Sequence, residues 1–418
     1  MKNNSAGLVT RYNDTWLLGG VRTPFADYNG VLGLISPTDL GIKVARAVFE
    51  RTGIAPSDAG SVIAGSVAQA SFDAYLLPRH IGLYSGVPVD RPALLVNRVC
   101  GTGFEAIGQA ADAIALDKIE LGLCVGAESM SRNPIVAYTH RGGFRMGQVK
   151  FKDFLWEALL DPAPNATMGG TAETLARVYK ISREDADRFA EASFARAVEA
   201  QKSCFLSGET VPVVNEAFKL EGYQSRGIKL PKGVERLDQD THIRQSSYEV
   251  LAKLPPVFGG VQSGGNSSAI VDGAASALVG SGSYVKSRSV KPLARVVAVA
   301  TVGVPPEKMG IGPAPAIRHL LDGVGLTLDA VDRFEINEAF AAQIIAVERE
   351  LMLDNKKLNV NGGAIAIGHP LAATGIRLTV TLARELERSN LRYGVASACI
   401  GGGQGIALLL ENAAPQRT

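Results

Sequence analysis

The sequence is short of the residues that mark several common classes of protein. Its 43 basic and 41 acidic residues nearly cancel, so the chain lacks the strong basic charge of a nucleic-acid-binding protein. No apolar run approaches the roughly 20 residues that a membrane span needs. Its five histidines and four cysteines show no metal-ligand spacing and no CxxC pair. We therefore predict no metal, no nucleic-acid partner and no membrane partner.

The N-terminal residues lack the features of a secretory signal. The stretch MKNNSAGLVTRYNDTW contains no apolar core of the kind that such signals carry. Without a secretory signal, the few cysteines favour a reducing compartment over a disulfide-stabilised extracellular domain. We expect a cytoplasmic enzyme.

Glycine and aliphatic residues are abundant, and their pattern indicates an α/β fold. The chain has 46 glycines and is 46% hydrophobic. Apolar runs at 15–21 and 61–67 predict buried strands, and a helical pattern lies between them near 39–51. A helical pattern at 104–118 is followed by an apolar strand at 121–129. Strands that alternate with helices in this way predict an α/β fold with mainly parallel pairing.

The middle of the chain changes character. Four basic residues lie within 139–153, and two helical patterns follow, the second with Ser182 as its N-cap. Scattered proline and glycine indicate irregular structure over 205–258, and residues 280–292 predict a linker. The expected parts are a first core half of residues 1–137 and 259–285, a loop domain of residues 138–258, and a second core half of residues 286–418.

Two segments share one order of elements: strand, glycine-rich turn, chemically reactive residue, helix and strand. Cys100 stands at this position in the first segment and His369 in the second. A duplicated α/β unit would bring the two helix N-termini together at a pseudo-dyad.

Cys100 and His369 are candidate catalytic residues because of these positions. A helix N-terminus stabilises an anion, so it would favour the Cys100 thiolate. His369 precedes Pro370, a residue suited to the first helical position, and there it would resist protonation and could act as a general base. The alternatives are a small packing cysteine and a packed or capping histidine.

Two further junctions carry polar groups. Cys399 ends a predicted strand and precedes three glycines, whose exposed N–H groups suit an oxyanion hole; the alternative is a simple tight turn. Asn337 and Glu338 lie between a strand and a small-residue helix, where helix capping alone could explain them.

Taken together and in this order, the four junctions resemble the thiolase family. The matching blocks are NRVCGTGFEAI, NEAFAAQ, GGAIAIGHPLAATGIR and CIGGGQGIA. Further similarity at 21–30, 125–131, 168–173 and 264–275 extends the resemblance over nearly the whole chain. It implies the thiolase fold, with duplicated α/β halves in a five-layer αβαβα core and an inserted loop domain. It also implies a homodimer or homotetramer.

The resemblance implies an acyltransferase that interconverts 3-ketoacyl-CoA and CoA with acyl-CoA and acetyl-CoA. CoA thioesters would be substrates, with no tightly bound cofactor. Cys100 would form the acyl-enzyme with His369 as its base, and Cys399 would exchange the α-proton. His369 and a water on Asn337 would stabilise the enolate, and the Cys100 and Gly401 N–H groups would stabilise the tetrahedral oxyanion.

The resemblance also implies residues that bind the substrate. The CoA contacts would be Ser268, Gly264 and Arg244, and the substrate-pocket residues would be Met168, Phe340 and Thr167. Thr167 stands where short-chain thiolases have a histidine that orients the substrate oxygen, so acetoacetyl-CoA is not the expected preferred substrate. Ordinary loop packing or a solvated charge is the alternative for these positions.

Three other functions remain to be distinguished. A ketosynthase-type condensing enzyme would complete its site with two histidines, or histidine and asparagine, where this chain has Cys399. A noncatalytic acyl-CoA-binding scaffold and a cysteine hydrolase that releases the free acid are the others. No motif matches the remaining histidines and cysteines, which we interpret as structural: His80, His140, His242, His319, Cys124 and Cys204.

Overall fold

The computed structural model describes residues 7–138 and 140–414. The sequence-based expectations for residues 1–6 and for the His140 side chain lie outside the described part. The strands are β1 (Leu8–Arg11), β2 (Thr15–Arg22), β3 (Ala26–Asp27), β4 (Ser61–Gly65), β5 (Ala93–Leu95), β6 (Leu121–Glu128), β7 (Ile135–Val136), β8 (Lys152–Asp153), β9 (Leu160–Asp161), β10 (Ala166–Thr167), β11 (Val213–Val214), β12 (Glu216–Phe218), β13 (Arg226–Ile228), β14 (Arg236–Leu237), β15 (Val271–Ser281), β16 (Ala294–Gly303), β17 (Arg333–Ile336), β18 (Tyr393–Ile400) and β19 (Gln404–Asn412). The helices are α1 (Pro37–Thr52), α2 (Leu77–Tyr84), α3 (Thr102–Ala115), α4 (Phe154–Ala158), α5 (Met168–Val178), α6 (Arg183–Lys202), α7 (Tyr248–Leu251), α8 (Gly282–Arg288), α9 (Pro313–Val324), α10 (Ala341–Leu351), α11 (Ala364–Ile367) and α12 (Leu371–Ser389).

One large mixed sheet runs through the molecule in the order β17-β18-β19-β16-β2-β15-β6-β4-β5. The α/β class is as predicted, but the expectation of mainly parallel pairing is wrong. Parallel pairs join β4 to β5, β4 to β6 and β17 to β18, whereas the longest ladders, β2–β15, β6–β15, β16–β19 and β18–β19, are antiparallel. The sequence pattern missed this because a buried antiparallel strand is as continuously apolar as a parallel one.

The two halves of the sheet repeat one topology. In the first half, the spatial order β5-β4-β6-β15-β2 has two parallel pairs followed by two antiparallel pairs. In the second half, a parallel bridge from Phe334 to Leu358 takes the place of the outer strand, and β17-β18-β19-β16 follow with the same directions. The halves meet where β2 pairs with β16 over two residues, and β1 pairs with the other end of that β16 edge.

Helices α3 and α12 lie between the two halves of the sheet. Each packs against strands of both halves, whereas α1 and α2 cover the outer face of the first half and α9 covers that of the second. The layers therefore alternate as αβαβα. The two central helices approach closely at Gly103 and Gly375: a Cβ on Gly103 would lie 2.6 Å from the Ile376 nitrogen, and one on Gly375 would lie 2.3 Å from the Phe104 nitrogen. Glycine is required at this crossing.

The segment outside the sheet is more ordered than the sequence indicated. Residues 205–258, expected to be irregular, contain the ribbons β11–β14 and β12–β13 as well as helix α7. Residues 280–292, expected to form a linker, contain helix α8, which Ser281 caps through the Tyr284 N–H. The predicted N-cap at Ser182 is confirmed, and Asp185 completes a capping box there.

Neither a membrane span nor a metal cluster is present in the described part of the chain. No helix within residues 7–138 and 140–414 is long and apolar enough to cross a bilayer. The same residues contain no group of three or more histidine, cysteine, aspartate or glutamate side chains placed to hold a metal ion.

Candidate active site

A strained turn presents Cys100. Val99, just before it, has a φ of 45°, a left-handed conformation that a β-branched residue rarely adopts. The Thr102 hydroxyl holds this turn, because it donates to the Val99 carbonyl at 2.7 Å and accepts from the Arg98 N–H at 2.9 Å. Helix α3 begins at Thr102 with Gly101 as its N-cap, so Cys100 lies immediately before the helix, as the sequence predicted.

The Cys100 sulfur lies where two backbone N–H groups converge. The N–H groups of Gly401 and of Cys100 itself donate to it, and both lower the pKa of the thiol. Burial has the larger effect and raises that pKa to about 11, to which the nearby Glu128 carboxylate contributes. Burial therefore outweighs the favouring of the thiolate that was expected from the helix N-terminus, and the neutral Cys100 thiol would need a base in order to react.

The His369 ring lines the same cavity as Cys100 and is held in the neutral form. The ring is buried, with Thr374 Oγ1 2.6 Å from Nδ1 and Asn337 Nδ2 3.4 Å from Nε2. Because an amide N–H can only donate, Nε2 is the unprotonated nitrogen and Nδ1 donates to Thr374. Burial, together with the Arg377 guanidinium, lowers the pKa of His369 to about 3. Resistance to protonation was predicted, but its cause is burial rather than the helix dipole.

The helix after His369 begins one residue later than predicted. Pro370 is the N-cap of α12, not its first residue, and its side chain makes no capping hydrogen bond. Glu128, at the end of β6, supplies an acceptor instead: Oε2 accepts from the Ala372 and Val67 N–H groups, and Oε1 accepts from Ala68 N–H and the Ser66 hydroxyl. This buried carboxylate joins the His369 segment to the wall around Cys100. Its position at a strand end was the only signal in the sequence.

Asn337 adjoins His369 and Cys399 neighbours Cys100, but neither is among the residues that line the cavity. Both are fully buried. Burial raises the pKa of the Cys399 thiol, and so does the neighbouring Cys100. Asn337 does not cap α10, whose N-cap is Phe340, and its Oδ1 accepts no hydrogen bond from a described protein group. Glu338 is structural: it accepts from Ser193, Asn359 and the Ile365 N–H, and so it anchors the loop that leads to His369.

A largely apolar cavity of about 630 Å³ opens onto Cys100 and His369. An apolar cluster surrounds each thiol. Cys100 packs with Ala68, Met130, Leu155 and Leu371. Cys399 packs with Ala172, Met309, Ala339 and Phe340, against which Met168 and Phe258 lie. Such a cavity, with few polar groups at its base, suits an apolar chain that ends in a reactive carbonyl.

The predicted binding residues separate into two groups. Thr167, Met168, Gly264, Ser268 and Phe340 line the cavity. Thr167 also caps α5 by accepting from the Gly170 N–H at 3.1 Å. Arg244 is not among the residues that line the cavity. Its exposed guanidinium lies over the Phe194 ring, 4.8 Å from the ring centroid.

His242 is a cavity residue that the sequence interpretation missed. Its Nδ1 lies 2.5 Å from Asp27 Oδ1, and its Nε2 lies 2.9 Å from the Arg244 guanidinium. The His242 ring therefore links the Asp27 carboxylate, which lines the cavity, to Arg244, the predicted CoA contact. Only the spacing of His242 and Arg244 could have suggested this link.

Comparison with known proteins decides the family. The model for the thiolase N-terminal domain matches residues 15–283, and the model for the thiolase C-terminal domain matches residues 290–412. The chain belongs to the thiolase family. This thiolase is an acyltransferase, and its reaction interconverts 3-ketoacyl-CoA and CoA with acyl-CoA and acetyl-CoA.

Similar proteins cover this thiolase almost end to end. The mitochondrial 3-ketoacyl-CoA thiolase of Bos taurus is 43% identical over 96% of this chain and 98% of its own length. A beta-ketothiolase of Cupriavidus necator is 39% identical over 94% of this chain and 98% of its own. The crystal structure of human mitochondrial 3-ketoacyl-CoA thiolase matches with a TM-score of 0.91 at 41% identity, covering 96% and 99% of the two chains. The thiolase fold is thereby confirmed.

Proposed function

We propose that Cys100, His369 and Cys399 carry the thiolase reaction of this chain, with Asn337 and Gly401 stabilising its oxyanions. The observation that supports this most directly is the convergence of the Gly401 and Cys100 N–H groups on the Cys100 sulfur, in a cavity that also contains the His369 ring. An oxyanion beside that sulfur would receive the same two donors.

The first half-reaction in the degradative direction breaks a carbon–carbon bond. His369 Nε2 takes the Cys100 proton as the sulfur attacks the 3-keto carbon, and a tetrahedral oxyanion forms. When it collapses, the bond between C2 and C3 breaks, the acyl group stays on Cys100, and the electron pair goes to the acetyl-CoA enolate. Cys399 gives that enolate its proton. A neutral thiol of raised pKa suits this acid role.

The second half-reaction transfers the acyl group to CoA. The Cys399 thiolate left by the first half-reaction takes the proton of the incoming CoA thiol, the CoA sulfur attacks the Cys100 thioester, and Cys100 leaves as the thiol with the proton that His369 held. In the first half-reaction, the protonated Nε2 of His369 and a water held by the free Oδ1 of Asn337 would be the donors to the thioester oxygen of the enolate. Run in reverse, the same steps condense two acyl-CoA molecules.

The direct test of this proposal is to trap the acyl-enzyme. Wild-type protein would be mixed with 3-ketoacyl-CoAs of graded chain length, without CoA, and its peptides examined by mass spectrometry. The expected result is one acyl group on the Cys100 peptide, released as acyl-CoA when CoA is added. Acylation at another residue would refute the assignment of Cys100. Release of the free acid would indicate the hydrolase function instead.

We further propose a preference for chains longer than four carbons. Thr167 offers no imidazole to a short substrate, and its hydroxyl already caps α5. The apolar wall continues outward from Cys100 through Leu155 to Trp156, which lines the cavity yet is 53% exposed. An acyl chain on Cys100 can cover that exposed indole face.

Replacing Trp156 by alanine tests the chain-length proposal. We expect kcat/KM to fall about tenfold for a long-chain 3-ketoacyl-CoA, which corresponds to about 1.4 kcal/mol of lost apolar contact. Acetoacetyl-CoA, too short to reach the indole, should be cleaved within about twofold of the wild-type rate. Trp156→Phe should restore most of the long-chain rate. An equal loss for both substrates would contradict the proposal.

CoA itself would bind along the polar side of the cavity. We propose contacts at Ser268 and Gly264, where no atom lies within 4 Å of a Cβ position on the glycine and a chain can pass. Arg244, held by His242, would serve the adenine nucleotide at the cavity mouth. A raised KM for CoA, but not for a pantetheine thioester, in Arg244→Ala would test this contact.

We propose a dimer formed through the outer edge of β5. This strand pairs with β4 on one side, and Leu94 within it is 46% exposed. Exposed Tyr75 and Leu76 precede α2, which packs on β5. An apolar strand edge of this kind needs a cover. Sedimentation velocity should show an oligomer that Leu94→Glu dissociates; a wild-type monomer would refute this interface.

Two sequence-based expectations stay predictions. The division into halves 1–137 with 259–285 and 286–418, around a loop domain 138–258, is supported by the repeated sheet topology and by the ribbons that lie outside the sheet. Limited proteolysis between α8 and β16 would test it. The cytoplasmic location is unsettled because the names of the bovine and human relatives include the word mitochondrial.

A further inference from the structure

Arg377 and Glu335 form a buried pair of charged residues near His369, the proposed base. Arg377 and Glu335 are almost fully buried, and the nearest approach of the guanidinium to Glu335 Oε2 is 3.7 Å, too long for a hydrogen bond. None of the three guanidinium nitrogens has a hydrogen-bonding partner among the described protein groups. A guanidinium left this way is unusual, since buried charges are normally paired and hydrogen-bonded.

Glu335 and Arg377 each lie on the same side of their element as a residue that contacts His369. Glu335 and Asn337 are two residues apart on an extended segment, so their side chains point to the same side. Thr374 and Arg377 are three residues apart on α12, so they share a helix face. Asn337 and Thr374 both contact the His369 ring, and Glu335 and Arg377 meet one layer behind it.

Several charged or titratable groups face His369 or the Arg377–Glu335 pair. They are Cys100, Cys399, Glu128, Glu335, Glu338, Arg377, Arg22, Glu209 and Glu385. Both thiols are neutral, since burial raises the pKa of each. Burial also raises the pKa of Glu335 to about 8, so near neutral pH this carboxyl offsets the guanidinium only in part. Burial lowers the pKa of Arg377 as well, but a guanidinium keeps its proton near neutral pH, so Arg377 is the charge that acts on His369.

We propose that Arg377 is a positioning residue for proton transfer, whose buried positive charge, on the helix face of Thr374, adds to burial in holding the His369 imidazole neutral. This inference rests on the proposed function of His369. It adds a residue that touches neither the substrate nor the reacting sulfur. The charge has a consequence in catalysis as well: it opposes the imidazolium formed in the first step, so that His369 gives its proton up readily.

The matched variants are Arg377→Met, which removes the charge at similar length, and Arg377→Lys, which keeps it. Arg388→Met is the control, because it removes an exposed charge from the last turn of the same helix. The readout is the NMR titration of isotopically labelled histidine rings, with the His369 signal identified by its loss in His369→Asn. The pH profile of kcat/KM gives a second readout.

We expect the methionine variant to move the His369 titration, and the acid limb of the profile, upward by about one pH unit. The lysine and Arg388 variants should leave both in place. A folded Arg377→Met protein with an unchanged titration would overturn the proposal. If that variant does not fold, Glu335→Gln is the deciding variant. Because it retains the arginine charge, the pH midpoint of the His369 titration is expected to be unchanged or lower. A higher midpoint would overturn the proposal. Lack of thiolysis by the wild type would instead refute the proposed function, because the titration does not depend on turnover.

Discussion

Cys100→Ala should lose thiolysis almost completely, with kcat at least about ten-thousand-fold below the wild type. The loss follows from the covalent route, because no other thiol can take the acyl group at this point. The Cys399 thiol lies in a separate apolar cluster, and Cys124 is enclosed in β6. The rate would be followed as CoA-dependent loss of a medium-chain 3-ketoacyl-CoA.

Cys204→Ala is the matched control for this experiment. It removes the exposed cysteine after α6, and its activity should equal that of the wild type. The thermal midpoint of Cys100→Ala should stay close to the wild-type value, since only a single sulfur atom is lost. A Cys100→Ala protein that still cleaves ketoacyl-CoA at a measurable fraction of the wild-type rate would rule out the acyl-enzyme at Cys100.

Cys399→Ala is expected to separate the two halves of the reaction. Cleavage of 3-ketoacyl-CoA should fall about a thousandfold or more, because the departing enolate loses its proton donor. Transfer of the acetyl group between acetyl-CoA and Cys100 needs no α-proton, so this half-reaction should persist. Exchange of labelled CoA into acetyl-CoA measures it independently of carbon–carbon bond chemistry.

The same pair of measurements gives the converse result for Cys100→Ala, which should lose exchange and cleavage together. Cys399→Ser keeps a hydroxyl at the site but raises the barrier to proton exchange, so it should retain exchange and recover little cleavage. Equal loss of exchange and cleavage in Cys399→Ala would show that Cys399 supports the structure of the Cys100 pocket rather than moving the α-proton.

The candidate catalytic residues could be proposed from sequence because each lies close to the end of a strand or the start of a helix. Glycine-rich turns mark these junctions without any knowledge of distant contacts, and Cys100, His369 and Cys399 all lie at one. Their protonation states could not be predicted in the same way. The pKa of Cys100 depends on burial among residues from distant parts of the chain, such as Leu155 and Leu371, and this burial outweighs the helix N-terminus that the sequence showed.

The sequence pattern also did not show in which direction the strands pair, or that Glu128 and Arg377 act on the site. Apolar runs show that a strand is buried but not which neighbour it pairs with, so the antiparallel ladders of β15 and β19 were missed. Glu128 and Arg377 have ordinary positions in the sequence. Glu128 contacts the distant Ala372 N–H and raises the pKa of Cys100, whereas Arg377 shares a helix face with Thr374 and lowers the pKa of His369.

The position of β1 has a consequence for synthesis of the chain. Residues 8–11 are made before the other strands of the sheet, yet they pair with residues 298–301 of β16, in its second half. A long loop must close before that edge is covered, which slows folding and exposes a bare strand in any nascent or truncated chain. Strand β1 thus belongs structurally to the second half of the sheet, and that half made alone would carry an open edge.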